Sequence, residues 1–167
     1  GDRMAGRGVL FAIEEPDVEA LLAAGSHAEV VRYVKGTIQE RWEKDFVAET
    51  DKAWYAIHMC VAGSAALDES EAPESRAIFG SATLTTEDDR TVAFTPADEV
   101  AATAAALAAI DSDALRAQYD LIDPETYAWA DLSDDDFKYT WVYFEAARSL
   151  WQKAADAGRA VIFTVDH

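Results

Sequence analysis

Ala160-Val161-Ile162-Phe163-Thr164-Val165 carries no charge and a single hydroxyl, is too short for a helix and is rich in β-branched side chains. Such a run predicts a strand covered on both faces. Its counterpart near the other end of the sequence is Val9-Leu10-Phe11-Ala12-Ile13, an unbroken apolar run behind Gly8. Two runs of this kind are expected to lie in one sheet. Thr91-Val92-Ala93-Phe94 supplies a further strand, and most of what lies between these runs reads as helix.

Pro16 in a first turn, with Asp17 and Glu19 near the positive end, starts a short helix that buries Val18, Leu21 and Leu22 and stops at Gly25. Ser26 with Glu29 forms a capping box, after which Val30, Val31, Val34, Ile38 and Trp42 recur at helical spacing, with Gly36 as a weak point. Asp51 to Ala62 predicts a buried helix with Trp54, Ile57, His58 and Val61 on one face and Gly63 as its end. Ser64 to Ser75 is polar and acidic and predicts an exposed loop, followed by a short helical turn at Arg76 to Gly80.

Thr95, Pro96 and Asp98 read as cap, first-turn proline and acid of a helix that buries Val100, Ala104, Leu107 and Ile110. Ser112 to Tyr119 is a further short helix, pairing Leu115 with Tyr119. Ser133 and Asp136 cap the longest helix, which runs to Gly158 and measures about 36 Å at 1.5 Å per residue. Phe137, Tyr139, Trp141, Tyr143, Phe144 and Trp151 spread over more than one of its faces, so several neighbours must cover it. Trp141 is expected in the core. The fold class is α+β: one helix-dominated domain over 4–167, with a small sheet that includes the N- and C-terminal strands. Gly1, Asp2 and Arg3 read as a vector-derived remnant before a natural start at Met4.

Fourteen Lys and Arg stand against thirty-two Asp and Glu, a net charge of −18. That surface repels nucleic acid and anionic membranes. The single cysteine, Cys60, can form neither an internal disulfide nor a redox pair and reads as a small buried hydrophobe. With no secretory pattern and no apolar run of about 20 residues, a cytoplasmic location is expected.

The run Asp51-Lys52-Ala53-Trp54-Tyr55-Ala56-Ile57-His58, the Ser75-Arg76-Ala77 to Gly80 turn and the block Gly158-Arg159-Ala160-Val161-Ile162-Phe163-Thr164-Val165 together resemble the YfbM-like family of bacterial proteins. The resemblance spans nearly the whole chain and rests on the order of these blocks. It implies a small single-domain α+β protein and transfers no catalytic residues, because the family is a domain of unknown function. The acidic loop from Ser64 to Ser75 is the expected point of greatest departure from it.

No phosphate-binding glycine loop, nucleophile elbow, HExxH or EF-hand spacing occurs. Trp54 and His58, at i and i+4, place an aromatic wall beside a titratable imidazole, and Arg76 beyond the acidic loop offers a guanidinium for an anion. Tyr143 and Glu145 are the polar exceptions on the aromatic helix. Each also has a plainer reading, as core histidine, structural ion pair or packed aromatic. Asp134-Asp135-Asp136 point around a helix axis and cannot converge on one ion, so neither a metal nor a cofactor is expected.

From Asp111 to Asp136 there are nine acids and one base, Arg116. One side of the molecule should therefore be strongly negative. The favoured expectation is a non-enzymatic interaction protein of regulatory or toxin-neutralising type, presenting Asp120, Asp123 and Glu125 to a basic protein partner. The alternative is a small-molecule-binding protein or an enzyme acting on an anionic metabolite, its pocket built around Trp54, His58 and Arg76 with Tyr143, and the acidic loop as a lid. A nucleic-acid mimic is a weaker third.

Overall fold

The two apolar runs pair directly. In the computed structural model, which describes residues 6–63, 72–127 and 131–167, strand β1 (Gly8–Ile13) lies antiparallel to β5 (Ala160–Asp166), with Val9 opposite Thr164 and Ile13 opposite Ala160. Between them in sequence come β2 (Val47–Asp51), β3 (Ala82–Thr83) and β4 (Arg90–Thr95). The sheet order is β2-β1-β5-β4-β3, antiparallel throughout. The helices are α1 (Glu15–Ala23), α2 (His27–Tyr33), α3 (Trp54–Ala62), α4 (Ala97–Ala108), α5 (Ser112–Tyr119) and α6 (Asp134–Ala157).

Strand alternation sorts the apolar residues into two cores, one on each face of the sheet. Leu10, Ala12, Ala93, Val161, Phe163 and Val165 pack against α3 to α6 through Trp54, Ile57, Leu107, Phe144 and Trp151. Phe11, Ile13, Val92, Phe94 and Ile162 pack against α1, α2 and the helical stretch that follows α2, through Val18, Leu21, Val30, Val34 and Ile38. Burial on both faces explains why β1 and β5 read as continuous rather than alternating runs.

Both edges of the sheet are blunted. Gly8 faces Asp51 while Val9 faces Glu49, so Thr50 is an extra residue in β2, and its hydroxyl donates to the Gly8 carbonyl at 2.8 Å. β3 at the other edge is two residues long.

Several sequence expectations are corrected. The second helix is α-helical only to Tyr33 and then widens into a π-helical stretch at Val34–Gln39. Trp42 lies beyond it at φ 40°, 41% exposed, with its ring edge-on to Phe11. Asp51 ends β2 at φ 46° instead of opening α3. Pro96 is the N-cap of α4, because Thr95 still belongs to β4. Leu22 points to solvent rather than inward. The fully enclosed tryptophan of α6 is Trp151, whose Nε1 donates to the Ala77 carbonyl at 3.1 Å, whereas Trp141 is half-buried, stacked on Phe144. The predicted caps at Ser26 and Ser133 form, each hydroxyl accepting from the N–H three residues on. Most of the predicted acidic loop, residues 64–71, lies outside the described residues.

Candidate functional site

Helix α3 carries Trp54 and His58 on one face, as their spacing predicts, and both are buried. The Trp54 indole donates to the Gly6 carbonyl at 2.9 Å and meets Phe79 edge-on. The His58 imidazole also stands edge-on to Phe79, with centroids 4.9 Å apart. Its Nδ1 is buried and has no hydrogen-bond partner. Burial lowers its pKa from 6.5 to about 4, so the ring is neutral at pH 7. Arg76 ends a 3-10 turn, Pro73–Arg76, and its Nη1 lies 3.7 Å from Glu99 on α4. The cavities described below have none of these three residues in their walls.

Tyr143 is half-buried, packs edge-on to Tyr139 at 5.0 Å and lines a shallow groove of about 390 Å³ between β2 and α6 with Glu49, Val142 and Lys153. Glu145 is exposed, 3.9 Å from Arg148. That arginine donates to the Ile110 carbonyl and lies over the Trp141 ring, so Glu145 neighbours a structural guanidinium.

The polar groups most firmly engaged are tyrosine–carboxylate pairs that sequence spacing does not reveal. Asp136 accepts from Tyr119 at 2.6 Å and from Tyr127 at 2.8 Å, both on Oδ2. Burial and this shared carboxylate push both phenols well above their ordinary value. Asp17 accepts from Tyr33 at 2.7 Å and pairs with Arg41 at 2.6 Å. Asp51 pairs with Arg7 at 2.9 Å and accepts from Tyr139 at 3.0 Å. Each joins separate segments of the chain through a shared carboxylate.

His27, Glu87 and Asp89 place three potential metal-ligand atoms within 4.8 Å of one another. The hydrogen bonds oppose that use. His27 Nδ1 accepts from the N–H groups of Thr86 and Glu87, both at 3.2 Å, so the ring proton sits on Nε2 and is directed at Asp89, 2.7 Å away. A metal on Nε2 requires that nitrogen's lone pair, which would leave an imidazolate or a Nδ1–H pressed against two other N–H donors. The ring is a clasp for the segment between β3 and β4.

The acidic residues do gather. Asp120, Asp123 and Glu125 are exposed around the end of α5, and Asp134 and Asp135 are exposed in the first turn of α6. Arg116 joins the two helices, 2.8 Å from Asp120 and 2.9 Å from Asp134, with its guanidinium over the Tyr119 and Phe137 rings. The one base of this stretch is thus already engaged by two acids. Beside them runs a groove of about 420 Å³ walled by Met59, Gly63, Gln118, Leu121 and Ile122, with Leu121 76% exposed. A second hollow, sharing Gly63 and Gln118, continues it past Cys60, Val61 and Ala114. Sequence spacing missed Leu121, which sits one step beyond the last turn of α5 with nothing periodic to mark it as exposed. Among the described residues no helix is long and apolar enough to cross a membrane.

Three comparisons bear on these observations. The family described as "Domain of unknown function (DUF1877)" matches residues 4–164. Among solved structures, YfbM from Escherichia coli, described as a protein of unknown function, aligns at 22% identity with a TM-score of 0.67. The alignment covers 95% of this chain and 99% of that one, a likeness of fold. No curated protein matches.

Proposed function

The chain belongs to the DUF1877 family, and from that premise we propose that it is a non-enzymatic interaction protein whose acidic side docks a basic protein partner. The observation that supports this reading is the exposed run of acids on α5, its following turn and the start of α6, whose only base is already paired with Asp120 and Asp134. A surface of this kind draws a basic partner in quickly and fixes its orientation. The Asp136 carboxylate, shared by Tyr119 and Tyr127, ties the end of α5 and the turn after it to the first turn of α6 beneath this surface.

Capture from the source cells tests the reading against a matched control. Asp120, Asp123 and Glu125 are reversed to Lys in one variant, and Glu15, Glu19 and Glu40, exposed on the α1–α2 side, in another. A basic protein retained by the wild type and the second variant, lost by the first and released by salt, is the expected result. Retention indifferent to the first variant removes this side as the docking surface.

A second reading has one observation in its favour, the unpartnered Nδ1 of His58 beside the Arg76 turn. Under it, an anionic metabolite raises the melting temperature, and Arg76→Lys abolishes that rise. A panel of carboxylates and phosphates that moves neither protein leaves the interaction reading alone.

A further inference from the structure

Resting on the interaction reading, we infer that the partner presents a basic amphipathic helix, which lies in the groove between α3 and α5 with its apolar face on Leu121 and its cations over the acidic rim. Three observations carry this. Among the described residues Met59, Leu121 and Ile122 form the apolar part of the groove's wall, beside Gly63 and Gln118, and Leu121 is left 76% exposed in a chain of net charge −18. An isolated exposed leucine is ordinary, but one that borders a concave apolar wall ringed by charge has the anatomy of a binding anchor.

The rim is acidic, and the base beside it, Arg116, is already held by Asp120 and Asp134. Asp120 and Asp123 bracket Leu121 in sequence, and Asp113 and Glu125 are exposed nearby on the same helix and turn. Asp120 lies close enough to the adjoining hollow to raise the pKa of the buried Cys60 thiol in that hollow's wall, second to burial itself, which together push it to about 12. An occupant must therefore bring cations to the edges and apolar side chains to the middle.

Backbone chemistry then favours a helix. An extended segment needs partners for its N–H and C=O groups, and among the described residues Gln118 is the one polar side chain in the wall of this groove. A helix satisfies its own backbone and needs only an apolar stripe, which it lays between two packed helices.

The test uses a defined probe, a synthetic Leu/Lys peptide of about eighteen residues, five helical turns, with Leu at i, i+3, i+4 and i+7. A shuffled peptide of the same composition but with no apolar face is the control. On isotope-labelled protein the amphipathic peptide should shift amide resonances of Met59 to Gly63 and Ala114 to Ile122. It should bind about tenfold more tightly than the shuffled one, the ratio expected from burying one leucine. Leu121→Ser, a change at an exposed position, should remove that advantage without altering the shuffled peptide's affinity. Asp120→Lys with Asp123→Lys should weaken both peptides. Equal binding of the two peptides, or an amphipathic peptide indifferent to Leu121→Ser, overturns the groove while the acidic surface stands. Binding of neither at low salt overturns both.

Discussion

His58 couples the stability of the fold to pH. Its imidazole is neutral in the native state because burial lowers its pKa from 6.5 to about 4. Above pH 6.5 neither the folded nor the unfolded chain holds the proton. As pH falls from 6.5 towards 4, the unfolded chain takes it up and the native one does not, so stability drops, by on the order of 3 kcal/mol, and the drop levels off once both states are protonated. His58→Leu should remove this component: urea midpoints of wild type and variant, measured above pH 6.5 and near pH 4, should converge or cross on the acid side. A constant difference between them would place the proton uptake elsewhere. Trp151 offers a second test at the same scale. It is enclosed and its indole N–H serves the Ala77 carbonyl. Trp151→Ala should cost about 3–5 kcal/mol by chemical denaturation, with the half-buried Trp141→Ala well under half of that.

Two glycines separate space from conformation at the level of the element. A Cβ on Gly36, in the π-helical stretch after α2, meets nothing within 4 Å, and its backbone is not among the positive-φ glycines. Gly36→Ala should raise stability by about 0.4–1 kcal/mol through the unfolded chain. On Gly8 a Cβ would lie 2.5 Å from the Phe163 ring and 2.7 Å from the Thr50 hydroxyl. Gly8→Ala should cost about 1–3 kcal/mol, and thermal denaturation of the pair checks both signs.

The same elements show what linear sequence carries. β1 and β5 were legible because burial on two faces leaves a run with no polar interruption. β2 was not: Glu49 and Asp51 interrupt it, Thr50 bulges from it, and Asp51 looks like a helix cap. Trp42 kept the four-residue step from Ile38 but left the helix through a positive φ that spacing does not encode. Of the candidate residues, Trp54 and His58 shared a face as read, since i and i+4 fix that locally. The Tyr119 and Tyr127 bonds to Asp136, and the His27 bond to Asp89 from 62 residues away, depend on tertiary placement.

Across the whole molecule, a net charge of −18 repels itself, and the ion pairs that relieve it range from exposed, as at Arg116, to ones with a buried partner, as in Arg90 with Asp166. Raising NaCl from about 0.05 to 0.5 M should therefore raise the melting temperature, while weakening capture of a basic partner. A melting temperature that falls with salt would mean that the ion pairs outweigh the repulsion. The pairing of β1 with β5 acts on another timescale. During translation β1 emerges about 150 residues before β5, its partner along one edge. At roughly 5–20 residues per second that is a wait on the order of ten to thirty seconds. β2 arrives sooner but covers the opposite edge, so Leu10, Phe11 and Ile13 travel on a half-paired strand until β5 arrives. The nascent chain thus displays, for that interval, an apolar edge that the finished protein buries, and it is there that a chaperone would hold it.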